Sequence, residues 1–267
     1  MLSADQIERF RAQGFLNCGR VVDEDTVRAL RRRLDAVMEG RAQKAPEALR
    51  NMTGQDNNVV VQIVNIWQAD DLFREHLYNA RICEMACDLI GDDVLRVWHD
   101  QVQYKPARVG GPTTWHQDHP YWPIIQPADL VSAWMALEDA TIENGCMRMV
   151  PRSHLWGPHK GGTIGTNEDF SPGYDPALVP PGETIEIIPC EVKAGEVMFH
   201  HCLTWHGSPP NRSERGRPAI AVHYMPGYTR YVPSGSHLVE HNVTVQPGEI
   251  LQGEHFPTVW DRGPVPH

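Results

Sequence analysis

The feature that most restricts the fold is the pattern of the chain beyond residue 94, where short strand-like segments alternate with turn residues. No amphipathic helix pattern lies between these segments. The segments are residues 94–98, 101–105, 131–137, 147–150, 184–188, 196–199 and 218–224. Parallel strands need long crossovers, which are usually helices, so this pattern predicts antiparallel pairing. We therefore expect a mainly β sandwich or barrel with flanking helices.

The first 93 residues have a more helical pattern. Ser3 followed by Gln6 is a capping box, and a short amphipathic helix should end at Gly14. Apolar residues at helical spacing predict further helices over 25–40 and 70–90. Between these helices we expect a loop over residues 41–57 and a β-branched strand over residues 59–67.

Charge and apolar content exclude some classes of protein. The 267 residues include 24 basic and 34 acidic side chains, for a net charge of −10, which argues against a nucleic-acid partner. No stretch reaches the ~20 apolar residues of a membrane span, and the N-terminus lacks a secretory signal pattern. The six cysteines form no Cys-x-x-Cys pair. A cytoplasmic protein with reduced thiols is expected, either monomer or homodimer.

An imidazole and a carboxylate stand two residues apart in Trp115-His116-Gln117-Asp118. In an extended strand, residues i and i+2 project from the same face. His116 and Asp118 can therefore occupy two adjacent positions on one metal ion. A His-x-Asp pair also arises by chance, so the interpretation needs a third ligand from elsewhere in the chain.

The third candidate ligand is His206, ninety residues further on. The sequence predicts a hairpin at this point: one strand ends at His206, a Gly-Ser-Pro-Pro-Asn turn follows, and a second strand begins near Arg217. On such a hairpin, His206, Ser208 and Arg217 can share a face. His200 and His201 compete for this role, but neither directly precedes the Gly-Ser turn. Two histidines and one carboxylate on one side of a metal form the facial triad typical of Fe(II) oxygenases, which leaves three coordination positions open.

Charge balance around such a metal predicts an arginine nearby. Fe(II) carries two positive charges and Asp118 one negative charge, so a chelating 2-oxoglutarate dianion leaves one negative charge uncompensated. Guanidinium suits this task because its planar fork binds a carboxylate bidentately and keeps its proton. Arg217, beside the Ser208 hydroxyl, is the candidate. Lys105 and Arg108, just before the His-x-Asp motif, could bind an anionic substrate, or they are exposed cations that need no explanation.

With these residues placed, the sequence resembles the phytanoyl-CoA dioxygenase family of non-haem Fe(II) and 2-oxoglutarate-dependent oxygenases. The resemblance extends over most of the chain, and it rests on the opening helix with Gly14-Phe15, the His116 and Asp118 motif, residues 134–139 and 143–148, Pro151-Arg152-Ser153-His154, and His206-Gly207-Ser208 with Asn211 and Arg217. The family spacing of eleven residues from the distal histidine selects Arg217 over Arg212 and Arg215. Arg152 replaces a glycine of many members, which affects a turn and not the ligands.

The resemblance implies a double-stranded β-helix, that is, a cupin-like jelly roll. It implies Fe(II), 2-oxoglutarate and O2 as cofactor and co-substrates, with ascorbate as a supporting reductant, and hydroxylation of a C–H bond with release of succinate and CO2. Ser208 and Trp134 fall where members contact 2-oxoglutarate. Gln62 and Gln103 lie in otherwise apolar or alternating strands, where members place polar residues near 2-oxoglutarate or the substrate. Family halogenases replace the triad carboxylate by a small residue, whereas Asp118 is present here.

The expected organisation is a single domain over residues 1–267, with a mostly helical part (1–93), a jelly-roll core (94–227) and a C-terminal tail (228–267). The Gly- and Pro-rich segment 157–182 and the tail do not resemble strands. Loops of this length are lids, binding loops or disordered segments, and we favour a functional lid. A small organic molecule is the expected substrate. Two alternatives stay open: a non-catalytic jelly-roll binding protein, and a zinc hydrolase that uses the same triad to activate water.

Overall fold

The helices begin and end where side chains and glycines cap them. In the computed structural model, which describes residues 1–159 and 179–263, Ser3 Oγ accepts from the Gln6 amide and the Gln6 side chain accepts from the Ser3 amide. Gly14 ends this helix in the left-handed conformation, as predicted. The helices are α1 (Ala4–Gln13), α2 (Glu24–Met38), α3 (Asp71–Leu77) and α4 (Ala80–Ile90).

The strands pair almost entirely in antiparallel fashion. They are β1 (Phe15–Arg20), β2 (Ala48–Asn51), β3 (Val61–Val64), β4 (Val94–Lys105), β5 (Thr113–His116), β6 (Ile125–Gln126), β7 (Val131–Ala136), β8 (Met147–Met149), β9 (Ile188–Cys190), β10 (Glu196–His201), β11 (His206–Ser208), β12 (Arg217–Pro226), β13 (Arg230–Tyr231) and β14 (Thr258–Asp261). The main sheet has the order β1-β10-β7-β12-β4-β3-β2, with β14 also paired to β4. A smaller sheet has the order β5-β11-β8-β9, and β6 pairs with β13.

The main sheet has two buried faces, and successive residues alternate between them. On one face Met135, Ile220 and Val222 belong to the same apolar cluster as buried residues of α1, α2 and α4. On the other face, Trp134 clusters with Met149 of the smaller sheet. The two sheets therefore face each other, with the helices outside, which confirms the predicted double-stranded β-helix.

Several local predictions in the N-terminal part were wrong. Strand β2 lies inside the expected loop 41–57, because it gains a partner in β3. The strand expected over 59–67 ends at Val64 and is followed by a 3-10 turn. The helix expected over 70–90 is two helices, since the Asn79 side chain accepts from the Ile82 amide and starts α4 anew.

Long-range pairing also changed predictions in the β part. The segments 94–98 and 101–105 form one continuous strand, β4, because β12 pairs along nearly all of it. The strand expected over 184–188 begins only at Ile188, where the pairing with Met149 starts. In the expected tail, β14 adds to the main sheet. Neither β14 nor β1 was predicted.

The predicted hairpin from His206 to Arg217 does not form. His206 lies opposite His116 in the smaller sheet, whereas Arg217 lies opposite Lys105 in the main sheet. The chain crosses between the sheets through a turn held by Asn211, whose side-chain amide donates to the carbonyl oxygens of Lys105, Pro106 and Arg215. The two halves of the site therefore come from opposite sheets.

Some expectations lie partly outside the described part of the chain. Most of the proposed lid at 157–182 falls on residues 160–178, which the structure does not describe, as do the last four residues of the tail. The single-domain division at residues 94 and 228 stays a prediction. No helix within 1–159 and 179–263 is long and apolar enough to cross a membrane. All six cysteines are free.

Candidate metal centre

The structure brings His116, Asp118 and His206 together between the two sheets. His116 ends β5, His206 begins β11, and the two residues are direct partners in the smaller sheet. One potential ligand atom from each of the three side chains lies within 4.8 Å of the other two, and all three residues are buried. Asp118 Oδ1 is 3.6 Å from His116 Nε2 and 3.7 Å from His206 Nε2. This is a donor set that could hold one metal ion.

Backbone carbonyl groups fix which nitrogen of each imidazole faces the site. His116 Nδ1 lies 2.8 Å from the Thr114 carbonyl oxygen, and His206 Nδ1 lies 2.9 Å from the Thr204 carbonyl oxygen. Because a carbonyl oxygen only accepts hydrogen bonds, each Nδ1 carries the proton. In the neutral imidazole, Nε2 then presents a lone pair toward the site, which is the form that a metal requires.

The carboxylate of Asp118 is ionised despite its burial. Burial by itself raises its pKa, but its histidine neighbours, His206 first and then His116 and His200, outweigh this effect and hold the pKa well below the ordinary value. Burial lowers the pKa of His206, which keeps its imidazole neutral. The site thus combines the negative charge of Asp118 with the neutral imidazole of His206. Two imidazoles and one carboxylate fit Fe(II), which binds such a set on one side and keeps open positions.

Arg217 lies at the start of β12 with its guanidinium group fully buried over Trp134. The guanidinium carbon is 5.4 Å from the centre of the indole ring, within the range of a cation–π contact. All three guanidinium nitrogens lack a hydrogen-bond partner among the described residues. Burial lowers the pKa of Arg217 to about 10. A buried cation without hydrogen bonds is costly, so this group fits a carboxylate that arrives with a ligand.

Lys105 is buried beside Arg217, which overturns its interpretation as an exposed cation. Its ammonium group donates to Ser208 Oγ at 2.5 Å, to the Ser208 carbonyl oxygen at 3.0 Å and to the Pro209 carbonyl oxygen at 2.8 Å. Burial, and then the charge of Arg217, lower its pKa well below the ordinary value. Since Ser208 Oγ accepts from Lys105, its own proton is directed elsewhere. Arg108, in contrast, is exposed and pairs with Glu214.

A cavity of about 300 Å³ opens beside the candidate ligands. Gln62 and Gln103, which are direct partners in β3 and β4, both line it, as do His116 and Asp118. The remaining lining residues are Arg50, Met52, Val64, His99, Gln101, Tyr121, Trp122, Ser236, His237 and Leu238. The predicted glutamines therefore lie at the cavity wall and not in an apolar core.

Comparison with known proteins agrees with this geometry. A family model described as phytanoyl-CoA dioxygenase (PhyH) matches residues 10–219, well over half of the chain. The chain belongs to the phytanoyl-CoA dioxygenase family. It is a non-haem iron and 2-oxoglutarate-dependent oxygenase, as the sequence predicted.

Curated relatives of this phytanoyl-CoA dioxygenase family member include animal and plant proteins. A probable phytanoyl-CoA dioxygenase of Caenorhabditis elegans is 28% identical over 247 residues, which cover 84% of this chain and 75% of the relative. A phytanoyl-CoA dioxygenase of Arabidopsis thaliana is 25% identical over 261 residues, which cover 84% and 89% of the two chains.

Solved structures extend the family comparison to enzymes with other products. The non-haem α-ketoglutarate-dependent carbocyclase SnoK from nogalamycin biosynthesis is 30% identical, with a TM-score of 0.79 and 96% of each chain covered. The epimerase SnoN, solved with Fe3+, α-ketoglutarate and nogalamycin RO, has a TM-score of 0.77 at 24% identity and shows the shared fold.

Sequence reasoning missed the role of three polar residues on the inner face of the main sheet, one of which, His200, it had weighed only as a competing metal ligand. His200, Ser132 and His223 form a row across β10, β7 and β12, because His200 and His223 are both partners of Ser132. His200 Nε2 and Ser132 Oγ contact Asp118 Oδ2 at 3.0 and 3.2 Å. The only sequence signal was one polar residue on the inward-facing side of each strand. That signal indicates a shared site only when the order of the strands in the sheet is known.

Proposed function

We propose that His116, Asp118 and His206 hold Fe(II), and that Arg217 anchors the far carboxylate of 2-oxoglutarate. Ser208 and Trp134 then contact the co-substrate, while Gln62 and Gln103 lie at the cavity wall beside it. The single observation that carries this proposal is the buried guanidinium of Arg217, which has no hydrogen-bond partner among the described residues. A carboxylate would neutralise the charge of Arg217 and accept hydrogen bonds from its planar guanidinium group at the same time.

The spacing of the two halves of the site supports a five-carbon dicarboxylate. Ser132, which contacts Asp118, and Trp134, which contacts Arg217, are two residues apart on the same face of β7. Two residues of a strand span about 7 Å. The chain of 2-oxoglutarate is of this order in length, so one end can reach the metal while the other end reaches Arg217.

Bound Fe(II) supplies the redox chemistry that couples decarboxylation of 2-oxoglutarate, with release of succinate and CO2, to oxidation of a substrate C–H bond. The protein residues bind and orient the reactants. His116 and His206 each direct Nε2 toward the site, Asp118 supplies one negative charge, and Arg217 compensates the charge of the co-substrate. The two facing sheets exclude water from the co-substrate end, where Arg217 is buried, which strengthens these interactions.

The proposed reaction is hydroxylation of a small, polar organic molecule that enters the cavity. Amide and aromatic side chains dominate the described wall, and Arg50 is the cation among the described lining residues. Such a wall favours neutral, oxygen-rich molecules over an acyl-CoA, whose phosphates call for several cations. The nogalamycin carbocyclase and epimerase support a small-molecule substrate, although their products differ from hydroxylation.

The proposal also includes stimulation by ascorbate, a cytoplasmic location and a monomeric or homodimeric state. The deciding experiment incubates purified protein with Fe(II), ascorbate, O2 and 2-oxoglutarate and measures succinate. Slow formation of succinate without substrate is expected in the wild type and lost in His116→Ala and Arg217→Met. Arg215→Met is the matched control, because Arg215 is exposed and lies two residues away.

The same preparation separates the two alternatives. A zinc hydrolase should contain zinc when purified without added metal and should form no succinate. A non-catalytic binding protein should bind 2-oxoglutarate in an Arg217-dependent manner and consume no O2. Either pattern would refute the proposed oxygenase activity of this chain.

A further inference from the structure

The carboxylate of Asp118 is held at the oxygen that faces away from the two candidate histidine ligands. Oδ2 receives hydrogen bonds from His200 Nε2 at 3.0 Å and from Ser132 Oγ at 3.2 Å, while Oδ1 points toward His116 and His206. Ser132 Oγ lies in turn 2.7 Å from Nδ1 of His223, which is 1% exposed. These contacts leave Oδ1 available to a metal and restrain the rotation of the carboxylate.

A second series of hydrogen bonds reaches His223 from the cavity wall. Arg50 Nε donates to Gln62 Oε1 at 3.0 Å, and Gln62 Nε2 donates to Gln101 Oε1 at 2.7 Å. Gln101 Nε2 lies 3.0 Å from His223 Nε2. We call the five consecutive hydrogen bonds from Arg50 through Gln62, Gln101, His223 and Ser132 to Asp118 the relay.

The chemistry of its two ends fixes the direction of the relay. A guanidinium group has no acceptor, so the Gln62 oxygen must face Arg50, and each amide NH2 then donates to the next group. His223 Nε2 must therefore accept from Gln101. An ionised carboxylate only accepts, so Ser132 must donate to Asp118 and its oxygen is free to accept from His223. Both ends thus require neutral His223 with its proton on Nδ1.

The residues in the middle of the relay are buried, so their hydrogen bonds restrict its geometry. Ser132 and His223 are essentially inaccessible to solvent, and Gln101 is 8% exposed. In such surroundings an unpaired polar group is costly, and a fully satisfied network holds one geometry. The ring of His223 also packs against His99 and Trp122, with centroids 4.6 and 4.7 Å away, which restricts its movement.

We propose that His223 is a positioning residue for the metal-binding carboxylate, and that the relay couples the orientation of Asp118 to the cavity wall at Gln62 and Arg50. This inference rests on the proposed function, because it takes Asp118 as a metal ligand. A substrate that contacts Gln62 or Arg50 would then be linked to the metal through continuous hydrogen bonds, without touching it.

The first test measures the tautomer of His223 in the wild-type protein without added metal. Side-chain 15N NMR distinguishes a protonated Nδ1 from a protonated Nε2, and His223→Asn assigns the signal by its loss. The relay requires Nδ1–H. Observation of Nε2–H would overturn the proposal, because Ser132 would then donate to His223 and not to Asp118. This measurement needs neither activity nor a bound metal.

The second test measures Co(II) affinity, using the visible absorption of the bound ion. His223→Phe and Ser132→Ala are expected to weaken binding by ~10- to 100-fold, the usual effect of losing a residue that orients a metal ligand. His223→Asn should restore affinity, because the asparagine amide can donate from the position of Nδ1. His76→Phe is the matched control, since it replaces a buried histidine of α3 that lies outside both the cavity lining and the relay, and it should bind as the wild type does.

A third variant tests the link to the cavity. Gln101→Leu removes the donor to His223 Nε2 without contacting Ser132 or Asp118, so it should raise the fraction of the Nε2–H tautomer and weaken Co(II) binding. Unchanged tautomer and affinity in Gln101→Leu would overturn the coupling. Equal weakening by His223→Asn and His223→Phe would overturn the positioning role. Absence of His116-dependent Co(II) binding in the wild type would instead refute the proposed metal site.

Discussion

Replacement of Arg217 by methionine should change co-substrate affinity and protein stability in opposite directions. Burial lowers the pKa of this guanidinium from 12.5 to about 10. Each pKa unit corresponds to about 1.4 kcal/mol, so burial of the unpaired charge costs roughly 3 kcal/mol in the free protein. A carboxylate bound to Arg217 removes much of that cost. Loss of this charge compensation in Arg217→Met should therefore weaken 2-oxoglutarate binding by roughly 100-fold.

The free protein should gain stability from the same change. Methionine removes the uncompensated buried charge but also removes the contact with Trp134, which is worth up to about 2 kcal/mol. We expect the free energy of unfolding to rise by about 1 kcal/mol. Arg215→Met should change neither quantity, because Arg215 is a largely exposed residue paired with Glu138.

Both quantities are measurable without turnover. Isothermal titration with Mn(II) in place of Fe(II) gives the dissociation constant of 2-oxoglutarate, and urea unfolding of the metal-free protein gives its stability. The reasoning would be refuted if Arg217→Met bound 2-oxoglutarate within threefold of the wild type. It would also fail if the variant lost more than about 2 kcal/mol of stability, because Arg217 would then have a structural partner.

Three further predictions follow from buried polar groups. Lys105→Met should raise the KM for 2-oxoglutarate and leave Co(II) affinity unchanged, since Lys105 holds Ser208 and not the metal ligands; equal effects on both would contradict this role. Wild-type protein should melt at a lower temperature after treatment with a chelator, and His116→Ala should show no such shift in calorimetry. Burial lowers the pKa of His76 to about 4, so the unfolded state binds more protons between that value and 6.5. Neutral His76 therefore contributes fully to the free energy of unfolding above pH 6.5, and about 3 kcal/mol of that free energy is lost as the pH falls toward 4. Urea unfolding of His76→Phe should show a smaller loss of stability over the same pH range.

Much of the fold and part of the site were predictable from the sequence, because those features depend on neighbouring residues. Ser3, Gln6 and Gly14 define the first helix through contacts within a few residues. Short strand-like segments with turns and no helices between them predicted an antiparallel β fold. His116, Asp118 and His206 were singled out by their residue types and short motifs, and the structure brings them together; their roles as ligands stay a proposal.

Residues that act across strands were decided only by the tertiary structure. Lys105 looks like any surface lysine in the sequence, and it is buried because β4 pairs with β12 and its end is covered by the turn after Ser208. Ser132 and His223 are ordinary polar residues until the order β10-β7-β12 places them beside each other and against Asp118.

The sequence by itself determined the local preferences, the charge balance and the chemical types available for a metal site. The tertiary structure decided which polar groups lose water and which partners they find, because both depend on the pairing of strands far apart in the chain. The predicted hairpin illustrates the difference: the same residues, His206 and Arg217, face a common site from two sheets and not from one. Long-range pairing leaves no trace in a local pattern, and it sets the geometry of this site.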